Sequence, residues 1–176
     1  MKKLSLTALT ALLLSVSPVY AASITEQDVL EAQQKWAAGI VEIGAVYQNE
    51  GDYKEEASQL IRALYAYDKS TVLFKPTLAS EDKFRETFDE ALSYFVGGDI
   101  AEDTGFAIKP WSNVRFAEQE IITDSDSATA MGVYFFTPAG ETDEVKVEYT
   151  FGYMRDEDEN LLINVHHSSL PFTPSE

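Results

Sequence analysis

The chain has 176 residues, among them 13 basic, 30 acidic and two histidines but no cysteine, giving a formal charge of −17. So acidic a surface repels phosphate backbones and anionic bilayers, which argues against nucleic acid and membranes as partners. The missing cysteines exclude disulfides, thiolate nucleophiles and any zinc site that needs a thiolate.

In chain order, residues 1–21 come first and read as a signal peptide. "MKKLSLTALTALLLSVSPVYA" has a basic start at Lys2 and Lys3 and an apolar run from about Leu4 to Val16. It ends in Val19-Tyr20-Ala21, small at the positions a signal peptidase reads. The run is short for a bilayer span, which needs roughly 20 residues. Cleavage after Ala21 and export to the periplasm are expected. The segment carries two basic and no acidic residues, so the mature charge is −19. Residues 22–176 then form one domain of ordinary size.

Thr25 with Asp28 three residues on resembles a capping box. Val29, Trp36, Ile40, Ile43 and Tyr47 follow at helical spacing, and Gly51 ends the run. A second helix fits Asp52 to about Asp68, with Leu60, Ile61, Leu64 and Tyr65 on its apolar face. "STVLFKPT" (70–77) is short, partly β-branched and stopped by Pro76, hence a short strand or extended segment. Ser80-Glu81-Asp82 predicts the start of a third helix, where negative charge suits the N-terminus. Phe84, Phe88, Leu92 and Phe95 would line its inner stripe, with Gly97-Gly98 at its end.

From about Phe106 the period changes to two. Strands are predicted at 113–123, 128–136, 144–154 and 161–170, separated by Asp/Ser-, Pro/Gly- and acid-rich turns. Three helices followed by an antiparallel meander is an α+β pattern. A strongly bent sheet wrapped by helices makes a cone with a pocket inside, the nuclear-transport-factor-2-like (NTF2-like) architecture. "MGVYFF" places Met131, Val133 and Phe135 on one face of its strand and Tyr134 and Phe136 on the other. A sheet aromatic on both sides is covered on both sides. Helices serve one face only, so a homodimer is expected.

Both histidines fall in "INVHHSSLP" (163–171), and histidine is the side chain that titrates near neutral pH. Neighbours on a strand face opposite ways, so His166 and His167 cannot easily grip one metal together. Strict alternation puts Leu161, Ile163, Val165, His167 and Ser169 on one face, the other carrying Leu162, Asn164, His166 and Ser168. The first set continues an apolar inner face, so His167 and Ser169 are assigned to the pocket lip. A pair of solvated strand-end histidines is the competing interpretation. "GGDIAEDTG" (97–105) offers Asp99, Glu102 and Asp103 as carboxylates, although a Gly-flanked acidic loop is usually a solvated turn. Thr77 in "LFKPT" and Tyr94 in "ALSYF" bring hydroxyls beside apolar segments, where a cap or a core tyrosine would also fit. No Gly-x-Ser-x-Gly, phosphate loop or dinucleotide fingerprint is present.

Beyond these residues, "LFKPT" (73–77), "YF" (94–95), "DIAEDTGFAIKPW" (99–111), "AMGVYFFT" (130–137), "VEYTFGYM" (147–154) and "HHSSLP" (166–171) resemble the iota-class carbonic anhydrases. The resemblance runs from about Trp36 to Pro171. It implies reversible hydration of carbon dioxide to bicarbonate, an NTF2-like fold and dimers. Members would use zinc, manganese or no metal, and the metal-free form is expected here. In that form a threonine, a tyrosine, and a serine and histidine of the HHSS strand hold bicarbonate and water. These match Thr77, Tyr94, Ser169 (or Ser168) and His167 (or His166), with the strand-face argument favouring Ser169 and His167. Two rival functions share the fold: an association module working through its sheet, and a small-ligand-binding protein or isomerase using the conical pocket.

Overall fold

The computed structural model describes residues 23–174. The expected signal peptide lies outside them. Helix α1 (Glu26–Gln48) opens with the expected capping box, Thr25 and Asp28 bonding reciprocally. Its buried stripe is Val29, Gln33, Trp36, Ile40 and Ile43. Helix α2 (Tyr53–Leu64) is capped by Asp52 and ends four residues sooner than predicted. A 3₁₀ turn at Ala66–Asp68 takes up the rest.

The third helix differs more. Helix α3 is Phe88–Val96, capped by Thr87 in a second reciprocal box with Glu90. The segment 80–86 predicted to begin it is not helical. Glu102 accepts from the amides of Ser80, Glu81 and Asp82 and from the Ser80 hydroxyl, so one distant carboxylate satisfies the donors a helix would have used. Those bonds hold the Glu102 carboxyl down at about 2, the Glu81 amide contributing most. Phe84, expected inside, is 44% exposed.

Five strands follow the expected positions: β1 (Leu73–Lys75), β2 (Trp111–Thr123), β3 (Ser127–Pro138), β4 (Val145–Arg155) and β5 (Leu161–Ser169). The sheet order is β1-β5-β4-β3-β2, antiparallel except that β1 runs parallel to β5. The helices pack on one face, with α1 across β2 and α2 against α3. The layers enclose an aromatic core in which Trp36 stacks on Tyr134 at 5.7 Å between ring centroids and meets Phe116, Phe136 and Phe151 edge-on. No helix among the described residues is long and apolar enough to cross a membrane.

Beyond a register shift at the start of β2, between Trp111 and Asn113, two β-bulges set which residues face that core. Between Ala117 and Glu120, β2 has one residue more than β3, and Glu118 adopts φ 48° to accommodate it. Between Ile163 and Val165, β5 carries an additional residue, Asn164, while β4 steps directly from Tyr153 to Gly152. Each bulge lies against a glycine of the neighbouring strand. A Cβ on Gly132 would sit 2.8 Å from the Gln119 Cα, and one on Gly152 would sit 2.9 Å from the Val165 Cβ. A bulge inverts the alternation of everything beyond it.

Candidate active site

The β5 bulge decides which histidine faces the core. Ile163 faces the core opposite Tyr153, but after Asn164 the inward residues are His166 and Ser168, paired with Phe151 and Tyr149. His166 and Ser168 are 2% and 3% exposed. His167 is exposed and Ser169 half-buried on the outer face, beside Glu118, Met131 and Glu148. The placement of His167 and Ser169 at the pocket lip is therefore corrected. Strict alternation counted Ile163 and His167 on one face, and the extra residue between them reverses it.

Within the cone lies a cavity of about 160 Å³. A single water needs roughly 10–15 Å³ on this measure, so several small molecules fit. Its walls are apolar and aromatic: Trp36, Phe74, Phe106, Phe136 and Val147. Its polar groups are Thr77, Tyr94, Tyr134, His166 and Ser168, with Lys109 the single charged side chain in the lining.

Each polar group is fixed by its element. Thr77 lies two residues past the end of β1, after Pro76, and donates to Ser168 at 2.8 Å across the β1–β5 junction. Tyr94 projects from α3, its ring stacked on Phe106 at 5.2 Å, and its hydroxyl accepts from the Leu78 amide at 3.4 Å. His166 is sandwiched by Phe74, stacked at 4.6 Å, and Phe151, edge-on at 4.3 Å. Its Nδ1 lies 2.8 Å from the Tyr65 hydroxyl and its Nε2 lies 3.4 Å from that of Tyr134.

Burial keeps every one of these groups neutral. It pushes the Tyr94 phenol up to about 12 and the Tyr134 phenol further. It also holds His166 well below the usual imidazole range, the neighbouring His167 adding to the effect. His167 is lowered as well, by partial burial and then by Lys75. An apolar chamber lined by neutral donors suits an uncharged substrate that acquires negative oxygens as it reacts, because fixed dipoles strengthen as that charge develops.

Thr77, Tyr94, His166 and Ser168 are thus brought together, whereas His167 and Ser169 are not. Sequence reasoning did not identify Tyr134, Tyr65 or Lys109 as site residues. The signal for the bulge was present: a glycine inside the strand pattern "TFGYM" marks a bulge or a close backbone approach. The acidic loop also departs from the solvated turn expected of it. Asp103 grips the fully buried Arg85 in a bidentate pair, at 3.1 Å to Nε and 2.5 Å to Nη2, with Glu102 at 3.4 Å; Asp99 is exposed. This clamp secures the segment after Thr77, since the Arg85 amide also bonds the Phe74 carbonyl. Among the described residues no group of three or more His, Asp or Glu side chains converges as metal ligands would.

Comparison with known proteins gives the family. Residues 27–170 match the family model described as metal-independent carbonic anhydrase. A metal-independent carbonic anhydrase of Nostoc sp. is 38% identical over 161 residues, covering 89% of this chain and 78% of the relative. The crystal structure of a cyanobacterial iota-carbonic anhydrase complexed with bicarbonate superimposes with a TM-score of 0.84 at 36% identity, over 91% of this chain and all of that one. An NTF2-like protein of Pseudomonas putida shares the fold, with a TM-score of 0.57 at 16% identity over 84% of this chain and 87% of that one. An NTF2-like superfamily protein of Salmonella enterica does so with a TM-score of 0.56 at 15% identity, over 85% and 92%. The fold is NTF2-like, and the chain belongs to the metal-independent carbonic anhydrase family.

Proposed function

We propose that this chain hydrates carbon dioxide reversibly to bicarbonate in the cavity between α1, α3 and the sheet, without a metal. The observation that carries the reading is the convergence of Thr77, Tyr94 and Ser168 in a largely apolar chamber, with His166 behind them. Carbon dioxide, apolar and uncharged, rests against the aromatic wall. Water adds to its carbon, and the product oxygens, now sharing a negative charge, receive hydrogen bonds from the hydroxyls. The proton released leaves with solvent. Orientation and preorganised donors supply the acceleration.

Carbon dioxide hydration by the purified protein, followed before and after exhaustive chelation, tests this reading. Activity that persists with no stoichiometric metal supports it. Activity lost on chelation and restored by zinc or manganese sinks the metal-free mechanism. No turnover at all, with a small ligand stably held, would favour the binding-protein alternative.

We also infer a homodimer and export. Met131, 58% exposed, and the partly exposed Phe135 give the outer sheet face an apolar patch that the helices do not cover. A second copy is the natural cover. Sedimentation at micromolar concentration checks this, and a monomer counts against it. For export, the intact mass of periplasmic material should begin at Ala22; a mature pool retaining Met1 refutes the cleavage.

A further inference from the structure

The indole of Trp36 donates a hydrogen bond and can accept none. Its Nε1 lies 3.0 Å from the Tyr65 hydroxyl oxygen. That oxygen is therefore an acceptor, and the tyrosine must place its own proton elsewhere. Tyr65 is 2% exposed, and among the described residues the acceptor within reach is Nδ1 of His166 at 2.8 Å. Had Nδ1 carried the imidazole proton, the Tyr65 oxygen would face two donors and its hydroxyl hydrogen would be buried without an acceptor. Buried donors are rarely left in that state.

We propose that Trp36 and Tyr65 are positioning residues that hold His166 as a neutral imidazole with its proton on Nε2, making it a hydrogen-bond donor toward the cavity and barring it from acting there as a base. The direction of every bond follows from the donor-only indole at the start of the chain. Trp36 donates to Tyr65, Tyr65 to His166 Nδ1, and His166 Nε2–H points at Tyr134, 3.4 Å away. Ser168 lies beside Tyr134, its hydroxyl countering the upward push of burial on that phenol. Ser168 already accepts from Thr77, so its own proton is shared between Tyr134 and any anion that enters the chamber.

The surroundings keep this arrangement neutral. Around the imidazole, α1 contributes Trp36, the turn after α2 contributes Tyr65, β1 contributes Phe74, β3 contributes Tyr134 and β4 contributes Phe151. The tyrosines are the titratable members of that shell, and burial raises both. The remaining charged influence is His167, next in the strand but on the opposite face, and its charge opposes protonation of His166. No carboxylate is among these neighbours to favour an imidazolium.

Only the catalytic consequence rests on the carbonic anhydrase reading; the tautomer can be tested alone. The test is nitrogen NMR of the full-length protein, labelled at the imidazole nitrogens, from pH 6 to 8. The expected result is an unprotonated, pyridine-type Nδ1 and a protonated, pyrrole-type Nε2 for His166, constant across the range, while His167 titrates. In Tyr65→Phe the His166 signals should move toward mixed tautomers. Carbon dioxide hydration should fall on the order of tenfold, the loss of about one hydrogen bond, with its pH profile unchanged. A proton on Nδ1 in the unmodified protein overturns the proposal, even if Tyr65→Phe fails to fold. So does an imidazolium that titrates in step with turnover. The expected tautomer in a protein without hydration activity would support the positioning and remove the functional reading.

Discussion

The two faces of β5 carry the same chemistry, one histidine and one serine each, in opposite surroundings. Inward, His166 and Ser168 are enclosed by aromatic rings and hydroxyls, and the imidazole is held neutral. Outward, His167 and Ser169 share a shallow surface with Glu118 and Glu148, and His167 pairs along the sheet with Lys75. Residue type is therefore a poor guide to role here. What separates the pairs is one extra residue, Asn164, which turns the strand over before the histidines arrive.

Gly152→Val is the harshest way to break this contrast. A Cβ there would sit 2.9 Å from that of Val165, so the bulge cannot keep its present form; measurable hydration should be abolished and the melting temperature lowered. A fully active variant would mean that the bulge does not set the site. Next in size are the serines themselves. Ser168→Ala, like Thr77→Ala, should lower turnover by about 10²–10³, by analogy with removal of an oxyanion-hole donor. Ser169→Ala should leave it within about twofold, as expected of a surface change. Equal losses from both serines, in proteins that melt cooperatively, would erase the distinction between the faces.

A smaller effect concerns pH. Folded His166 resists protonation, whereas in the unfolded chain it binds a proton near 6.5. As pH falls below 6.5, the unfolded state takes up protons first and stability declines, by up to about 1.4 kcal/mol per pH unit. Above 6.5 the contribution is flat. The strongly bonded Glu102 adds its own loss only below 4.5, toward about 2. Between 4.5 and 6.5, denaturant unfolding should thus show a slope that His166→Gln reduces more than His167→Ala does. The reverse order would place the buried imidazole on the wrong residue.

The smallest expected effect is at the cavity mouth. Lys109 is the one charge in the lining of a strongly acidic chain, so Lys109→Gln should weaken bicarbonate binding about two- to fivefold, as an exposed charge would. Added salt should shrink the difference. An unchanged dissociation constant at low salt would remove Lys109 from substrate binding.

Much of the architecture was legible because it rests on local signals. The Thr25–Asp28 box, the stripe through Trp36 and Ile40, and the period-two strands depend on neighbours in sequence, and each is present in the fold. The misplacements have distant causes. Ser80 to Glu86 looks like a helix start because its partner, Glu102, lies some twenty residues away. Arg85 gives no hint of burial until Asp103 is found beside it. The faces of β5 were assigned by alternation, yet Leu162 and Ile163 are both buried, and consecutive buried residues already show the period failing. The hydroxyls of Thr77 and Tyr94 are visible beside apolar segments and take their role from the family resemblance; their convergence on one chamber required the fold.

The parallel pairing of β1 with β5 has a further consequence. It joins Thr77 to Ser168 across 91 positions of chain, and β5 must insert between β1 and β4 before that contact exists. Contacts so remote in sequence carry a loop-closure cost and form late. An ensemble with α1, α2 and the β2–β4 meander in place would look nearly native to circular dichroism and still lack its chamber. Recovery of turnover after dilution from denaturant should therefore lag behind recovery of secondary structure, making the enzyme's own activity a clock for its last step of assembly.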